Sequence, residues 1–494
     1  MGLITQQQFI FNKDIINRYK MKKIVLVFYT IYFLSSFCLK SFSLENKNIF
    51  AVAISDIHFD PLYDCEKLGV CEIFEKLKTS DEKEWNGIFF NYSGILNSKY
   101  TQDTNYSLLK NILIENKNSL NYIVSNNYIS FIIANGDFLG HNLKQHYYNL
   151  NKSSYDGYSD FVRKTIKFVT DQIKSSLSSS LNSSIIVFPV LGNNDSYVDD
   201  YFIDDADSNF YIDTAETWSK FLPEIKSTNF IHNGFYSWHI PELNSNFIVL
   251  DSTLFSENAA SNDKIKMDLE AKEQLNWLNN ELHQSKIKGQ KTILAFHIPS
   301  SVDPYLSSVA KKPVMFWKAE YQKIFLDSIN QYRNEIIAIF NSHIHSDALY
   351  VDSYKKNNEV ELFSTLIPSI SPAHSNNPSF KIVHFSDDTS KNIILKDIDT
   401  YFYDISKQNN NIELDYEFNK TYKSKNVRSG INNLLNGNLY DSYFKYYNLN
   451  TNFVPNDEQK YYICAIKFVT ESEYQSCINE FNLFLSSSQE YHLY

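Results

Sequence analysis

Five short clusters of Asp, His and Asn residues recur along the sequence, each directly after a run of apolar residues. The first cluster pairs Asp56 with His58, and the last pairs His343 with His345. The clusters between them contribute Asp137, Asn193, Asn194 and His297. Carboxylate, imidazole and amide groups provide oxygen and nitrogen ligands that suit zinc, manganese and iron. The residue types therefore predict a centre for two divalent metal ions, with zinc favoured and manganese or iron as alternatives.

In the first and last clusters a single residue separates the two ligands. Side chains on an extended segment alternate with a period of two, so Asp56 and His58 are expected to point to the same side. The same argument applies to His343 and His345. A lone histidine beside a strand is more often structural than a ligand, but five clusters in this order favour a metal site.

The segments around the clusters alternate between short apolar runs and stretches with apolar residues at helical spacing. We expect strands at residues 50–55, 128–134, 184–191, 234–240, 246–251, 292–296 and 336–340, and helices at 106–125, 160–177, 272–282 and 320–332. Such alternation predicts an α/β fold in which helices cover a mixed sheet on both faces. Ligands collect beyond the carboxyl ends of strands in these sheets, which is where the clusters lie.

The length of 494 residues favours one large catalytic domain with a smaller appendage. We expect the catalytic domain over residues 44–400. Residues 405–460 are polar and rich in Asn and Tyr, and short amphipathic segments follow them. We expect residues 401–494 to form a small, mostly helical C-terminal subdomain with a disulfide. The formal net charge is -11 and no block of Lys and Arg stands out, which argues against a duplex nucleic acid partner.

The N-terminal segment has the order of a secretory signal. Lysines at 20, 22 and 23 precede an apolar run at 24–39 and a small-residue stretch that ends at Ser43. We expect residues 1–43 to be a signal peptide, with Met21 as an alternative start. Export then leads to an extracellular or lysosome-like compartment, and a retained signal-anchor in the membrane is the alternative.

Cysteine and sequon positions agree with export. After loss of the signal, Cys65 with Cys71 and Cys464 with Cys477 remain as two sequence-local pairs. Two disulfides are expected, and four buried thiols are the alternative. Sequons predict glycosylation at Asn91, Asn105, Asn151, Asn182 and Asn419. The sequon at Asn194 adjoins the metal ligands, so we expect it to stay unused.

The order D-x-H, G-D, G-N-x-[DE], H and H-x-H resembles the motif set of the calcineurin-like metallophosphoesterase superfamily. The resemblance implies a four-layer αββα sandwich with mixed sheets. By motif, the first metal is assigned to Asp56, His58 and His345, the second to Asn193, His297 and His343, and both to a bridging Asp137. Gly140 stands where purple acid phosphatases of this superfamily have a tyrosine ligand, which argues against that branch.

Residues 48–494 are more similar to the acid sphingomyelinase-like phosphodiesterases. The segments 55–63, 233–236 and 274–278 and the C-terminal Cys464 with Cys477 carry this resemblance. His141, four residues after Asp137, matches a catalytic histidine of that family. Two positions depart from the family pattern, because Asn194 replaces the usual His and Ser342 replaces the usual Gly.

The resemblance implies a secreted two-metal phosphodiesterase. A metal-bridging hydroxide is expected to attack the phosphate ester while His141 protonates the leaving oxygen. Asn194 can donate a hydrogen bond to phosphate but cannot donate a proton near neutral pH. We expect small-molecule substrates, nucleotides or other soluble phosphodiesters. Only a few residues separate the predicted cleavage site from the first strand, so we expect no lipid-presenting saposin domain there. Sphingomyelin or another phospholipid headgroup is one alternative, and a weakly active or inactive metal-containing binding protein is another.

Overall fold

The computed structural model of this protein describes residues 48–490, except residues 66–70, 93, 95, 117, 127–128, 178–184, 205–208, 356, 408–410 and 452–457. The side chains of residues 483–490 are likewise not described. The predicted signal peptide and the sequon at Asn182 lie outside the described residues. Within the described part of the chain, no helix has the length and apolar character needed to cross a membrane.

Two six-stranded sheets, each with parallel and antiparallel neighbours, form the centre of the fold. The strands are β1 (Asn48–Ile54), β2 (Ile129–Asn135), β3 (Ile186–Val190), β4 (Tyr236–Ile240), β5 (Ser245–Val249), β6 (Lys291–Ala295), β7 (Ile336–Asn341), β8 (Leu349–Tyr354), β9 (Val360–Leu366), β10 (Ser379–Asp387), β11 (Ile393–Tyr403) and β12 (Ile412–Glu417). The first sheet has the order β12-β11-β10-β1-β2-β3 and the second the order β4-β5-β6-β7-β9-β8. Strands β1, β2 and β3 run parallel, as do β5, β6, β7 and β9.

Parallel neighbours need crossover connections, and helices provide most of them. The α-helices of the described chain are α1 (Glu72–Thr79), α2 (Trp85–Tyr92), α3 (Tyr106–Lys110), α4 (Leu120–Asn126), α5 (Leu143–Leu150), α6 (Tyr158–Ser176), α7 (Phe210–Trp218), α8 (Phe230–Asn233), α9 (Lys264–Ile287), α10 (Pro304–Ala310), α11 (Ala319–Gln331), α12 (Phe418–Thr421), α13 (Val427–Asn436), α14 (Tyr440–Tyr447), α15 (Gln459–Lys467) and α16 (Glu471–Glu490).

The alternation of side chains along β5 shows how the layers stack. Phe247 stacks on Phe188 of β3, with ring centroids 4.2 Å apart, in the core between the two sheets. Ile248 and Leu250 belong instead to a second core, which contains the buried leucines of α9 and Phe325 of α11. The sheets therefore pack face to face, with helices behind the second sheet. This arrangement agrees with the predicted α/β sandwich with mixed sheets.

The structure differs from the sequence prediction at several elements, including the following three. The expected helix at 106–125 is divided into α3, a π-helical turn at Asn111–Glu115 and α4. Strands β8 to β12 were not predicted. Strand β11 crosses the expected domain boundary at residue 400 and β12 pairs with it, so the C-terminal helices begin only at Phe418. Pairing with a neighbouring strand stabilises this polar segment as sheet, although its composition is typical of a loop.

Both predicted disulfides are present in the structure. Cys65 is bonded to Cys71, and Cys464 of α15 is bonded to Cys477 of α16. The second bond links two helices that both contribute buried side chains to the main core. The C-terminal helices are therefore attached to the sandwich by packing and to each other by a covalent bond.

The structure contradicts glycosylation at Asn105. Its side chain is 2% exposed, and its Nδ2 donates a hydrogen bond to the carbonyl oxygen of Leu96 at 2.8 Å. Its Oδ1 accepts a hydrogen bond from the backbone N–H of Leu108 and so caps the N-terminus of α3. A glycan on Nδ2 would have to displace this buried contact. The sequons that stay predictions within the described residues are at the partly or fully exposed Asn91, Asn151 and Asn419.

Candidate metal centre

Loops that directly follow parallel strands carry all of the metal ligands predicted from the sequence. The residues after β1, β2, β3, β6 and β7 are, in that order, Asp56 with His58, Asp137, Asn193, His297, and His343 with His345. The first three strands belong to one sheet and the last two to the other. The centre therefore forms where the carboxyl ends of both sheets meet.

The backbone at these ligands is not extended. Asp56, His58, Asp137, His343 and His345 all have positive φ angles, between 41° and 76°. The strand-alternation argument for the two paired clusters is therefore wrong, although the paired side chains do converge. A left-handed residue other than glycine costs about 1–2 kcal/mol. Backbone hydrogen bonds from Asp56 N to Gly136 O (3.0 Å) and from His58 N to Asp137 O (2.9 Å) hold the loops in this conformation.

Two glycines allow the loops to approach each other. Gly136 has a φ of 93°, and a Cβ there would lie 2.7 Å from Nδ1 of His297. A Cβ on Gly192 would lie 2.1 Å from Oδ1 of Asp137. Both glycines immediately precede a predicted ligand, so any larger residue would displace the carboxylate or imidazole at the centre.

The first ligand group consists of Asp56, His58 and His345, and their candidate ligand atoms lie close together. Nε2 of His58 lies 3.1 Å from Nε2 of His345, and Oδ1 of Asp56 lies 3.8 Å from the former and 3.5 Å from the latter. Nδ1 of His58 donates a hydrogen bond to the carbonyl oxygen of Leu139 at 3.0 Å. This contact directs Nε2 toward the other predicted ligands, as hydrogen bonds to the opposite ring nitrogen of metal-binding histidines do.

Asp137 lies between this group and the second ligand group, which consists of Asn193, His297 and His343. Its Oδ2 is 3.3 Å from Nε2 of His58 and 3.1 Å from Nε2 of His297. His297 donates from Nδ1 to the carbonyl oxygen of Asn135 at 2.8 Å, which again frees Nε2. A carboxylate oxygen of Asp137 and one ring nitrogen each of His297 and His343 lie within 4.8 Å of one another. The hydroxyl of Ser342 lies 3.0 Å from Nδ1 of His297, so this departure from the family pattern places a hydroxyl beside a predicted ligand.

The protonation of these histidines is governed by the carboxylates packed beside them. Burial would lower the pKa of His58, but the charges of Asp137 and Asp56 outweigh burial and raise that pKa to about 9. In the same way, Asp137 raises the pKa of His297 to about 10. Burial would raise the pKa of Asp137, but His297 and His58 hold it well below its usual range. Divalent cations bound here would replace the imidazole protons as the positive partners of the carboxylates.

The donor atoms of the centre fit two divalent cations. Within the described residues, Asp56 Oδ1, Asn193 Oδ1 and His297 Nε2 are buried without a hydrogen-bond partner. Such atoms are costly unless an ion or another polar group satisfies them. By position, Asp56, His58 and His345 would hold one cation, Asn193, His297 and His343 the other, and Asp137 both.

His141 lies at the edge of the first ligand group. Its ring stacks on that of His58 with 3.8 Å between centroids, and its side chain is 33% exposed whereas that of His58 is fully buried. Asp103 orients this ring, because its Oδ1 lies 2.7 Å from Nδ1 of His141 and its Oδ2 accepts the backbone N–H of His141 at 2.6 Å. Sequence reasoning missed Asp103, which stands in a loop and belongs to none of the clusters.

Asn194 directs its donors toward the carboxylate of Asp137. Its backbone N–H donates to Oδ1 of Asp137 at 2.8 Å, and its Nδ2 donates to Oδ2 of Asp137 at 3.0 Å. The next residue, Asp195, accepts backbone N–H groups from Phe138 and Gly192 and so joins the loops after β2 and β3. The residues after β3 thus hold both the carboxylate of Asp137 and the loop that carries it.

A cavity of about 590 Å³ opens onto the ligands. Its described lining includes His141, aromatic rings and carboxylates, but no Lys or Arg. The lining residues outside the predicted ligands include Asp200, Tyr201, Asp303, Tyr305, Phe316, His374, Tyr447 and Tyr462. The hydroxyl of Tyr201 lies 3.1 Å from Nε2 of His343. None of these residues belongs to a sequence motif, and only the packing of distant loops brings them to the site.

Asp103→Asn is expected to lower kcat for the predicted phosphodiester hydrolysis by about 10- to 100-fold, with an unchanged KM and metal content. The reason is that the amide retains the shape of the carboxylate but not the charge that orients His141. Steady-state kinetics and metal analysis of the purified protein measure these quantities. Asp81→Asn, an exposed carboxylate in a separate turn, is the matched control. Loss of metal, or an unchanged kcat, would contradict a positioning role for Asp103.

Known proteins resemble this chain in sequence over part of its length. The chain is 25% identical to sphingomyelin phosphodiesterase B of Dictyostelium discoideum over 361 residues, which is 66% of this chain and 52% of that protein. It is 24% identical to an endopolyphosphatase of Neurospora crassa over 226 residues, which is 45% of this chain and 29% of that protein. The chain thus spans about half or less of the length of these relatives. Similarity to sphingomyelin phosphodiesterases agrees with the family resemblance of the motifs.

Solved structures and the family profile complete the comparison. A dimetal phosphatase from Danio rerio superposes on 71% of this chain and 95% of its own, with 12% identity and a TM-score of 0.40, which is too distant to bear on function. Residues 51–347 match the sequence profile of the family described as calcineurin-like phosphoesterase. The match begins in β1 and ends just after the last ligand pair, so it covers every predicted ligand. This chain is a member of the calcineurin-like phosphoesterase family.

Proposed function

We propose that this protein is an exported phosphodiesterase that uses two divalent cations, with zinc as the first candidate for both. The observation that carries the proposal is the position of His141, which is oriented by Asp103 beside the ligand group and exposed to the cavity. A metal-containing binding protein has no need for an oriented, exposed imidazole there. The disulfides are consistent with an oxidising compartment.

The residues of the chain have separate roles in this proposal. Two bound cations would supply a nucleophile by lowering the pKa of water and would offset negative charge on the phosphoryl group. His141 protonates the leaving oxygen, and Asp103 keeps its ring in position for that transfer. Asn194 holds the carboxylate of Asp137 with two N–H groups and so fixes the ligand shared by both groups.

The cavity supports a small soluble phosphodiester as the substrate, such as a nucleotide derivative. Its volume of about 590 Å³ is in the usual range for small-molecule sites. A phospholipid headgroup is a second candidate, and one observation favours it. The described lining combines Asp200 and Asp303 with aromatic rings and has no Lys or Arg, which suits a neutral or cationic group better than a chain of phosphates.

Hydrolysis of bis-p-nitrophenyl phosphate by the purified protein tests the proposal. We expect turnover after loading with zinc or manganese and none after treatment with a chelator. A nucleotide diester and sphingomyelin micelles, assayed under the same conditions, then separate the two substrate classes. Stoichiometric metal without turnover from about pH 4.5 to 8 would contradict the proposal and would favour a binding role.

A further inference from the structure

The cavity holds a second exposed imidazole that the proposed reaction does not use. His374 lies in the cavity wall between Ala373 and Ser375. Its ring centroid is 4.1 Å from that of His345 and 6.3 Å from that of His141. Within the described residues its ring makes these ring contacts and no hydrogen bond. Its N–H group is therefore left for a molecule in the cavity.

The loop that carries His374 is held by the active-site segments. The backbone N–H of Ser371 donates to the carbonyl oxygen of Asp56 at 3.0 Å, and the N–H of Thr101 donates to the carbonyl oxygen of Pro372 at 3.0 Å. The first bond connects the loop to a metal-ligand segment, and the second connects it to the segment that contains Asp103. The position of His374 relative to both His345 and His141 is thus set by backbone contacts on two sides.

The cavity also needs a donor for the phosphoryl oxygens. No Lys or Arg is among its described lining residues, so neutral donors must assist the cations. Asn194 directs its backbone N–H and one amide N–H to Asp137, which leaves one amide N–H for such a contact. The ring centroid of His345 lies 4.1 Å from that of His374 and 5.8 Å from that of His141, so a phosphate group bound beside His345 would have both imidazoles near it.

We propose that His374 is a further substrate-contacting residue, which donates a hydrogen bond from its imidazole N–H to a phosphoryl oxygen of the phosphodiester. The inference rests on the proposed phosphodiesterase function. It assigns His374 a contact with the substrate and His141 the transfer of the proton. No charge on His374 is needed, because a neutral imidazole still carries one N–H donor.

The test compares His374→Ala with His374→Gln and His374→Asn, each metal-loaded. Because a hydrogen bond to a charged group contributes about 1.5–3 kcal/mol, His374→Ala should lower kcat/KM for bis-p-nitrophenyl phosphate about 10- to 100-fold. Gln and Asn place an amide donor near one or the other ring nitrogen, so one of them should recover part of the loss. His232→Ala, an exposed histidine in α8, should match the wild type.

Binding of inorganic phosphate, measured by calorimetry, separates this inference from the proposed function. If the wild type binds phosphate but turns over no diester, the proposed function fails while the contact with His374 is still measured. The inference is supported when His374→Ala weakens phosphate binding about tenfold or more at unchanged metal content. Affinity within twofold of the wild type overturns it. Loss of metal in His374→Ala also overturns it, because the ring would then act by supporting His345.

Discussion

Asp137→Asn is expected to remove the bound metals and to lower turnover of bis-p-nitrophenyl phosphate by at least about 10³-fold, since metal catalysis contributes several kcal/mol and 1.36 kcal/mol corresponds to tenfold. Asp137 has the central position, with Oδ2 3.3 Å from Nε2 of His58 and 3.1 Å from Nε2 of His297. The amide in its place cannot provide two anionic oxygens to a shared site. Metal analysis and steady-state kinetics of the purified variant measure both effects.

Asp251→Asn is the control for Asp137→Asn, because it is also a buried carboxylate soon after a strand and lies outside the ligand groups. Its Oδ1 accepts the backbone N–H of Thr253, a local contact that an amide oxygen can retain. This variant should keep its metals. Circular dichroism confirms that both variants are folded. An Asp137→Asn protein that keeps both metals and more than about a tenth of the activity would contradict a bridging role.

His141→Ala is expected to lower kcat by ~10²–10⁴-fold, the usual contribution of a positioned general acid. The effect should be larger for a diester with an alkyl leaving group than for bis-p-nitrophenyl phosphate, because p-nitrophenolate leaves without full protonation. A residue that only lines the cavity would affect both substrates equally. Comparison of kcat for the two substrates in wild type and variant therefore identifies the proton donor.

Metal content decides between two roles for His141. A ring nitrogen of His141 can also lie within 4.8 Å of those of His58 and His345, so the geometry alone permits a metal ligand. The exposed position of His141 and its contact with Asp103 favour the acid. We expect His141→Ala to retain its metals. A fall in metal that parallels the fall in kcat would show that His141 is a ligand.

Local sequence predicted candidate ligands that the structure brings close together, because metal binding requires particular side-chain types. Asp56, Asp137 and His297 each follow a buried strand. The type of the residue and the apolar run before it can both be read from a few neighbouring positions in the sequence. Asp103 and His374 lack such a signal. Each contributes through contacts with residues far away in the chain, such as Asp103 with His141 and the loop of His374 with Asp56.

The strands beyond residue 341 were also out of reach of the local patterns, whereas the helical character of the C-terminal segment was predicted. Strand β10 pairs with β1, which lies more than 300 residues earlier, and β11 and β12 extend that edge in turn. The stability of such a strand depends on the neighbours it packs against as well as on its own composition. The expected boundary at residue 400 therefore fell inside β11.

The sequence by itself determined which groups can bind metal and that they lie at strand ends, because residue type and apolar runs are local properties. Only the tertiary structure decided how the groups converge. The positive φ angles at Asp56 and His345, the close approach at Gly192 and the orientation of Asn194 toward Asp137 all depend on contacts between loops of different strands. Such contacts exist only after the two sheets have packed face to face. The distances that make this a metal centre are therefore a property of the packed sandwich.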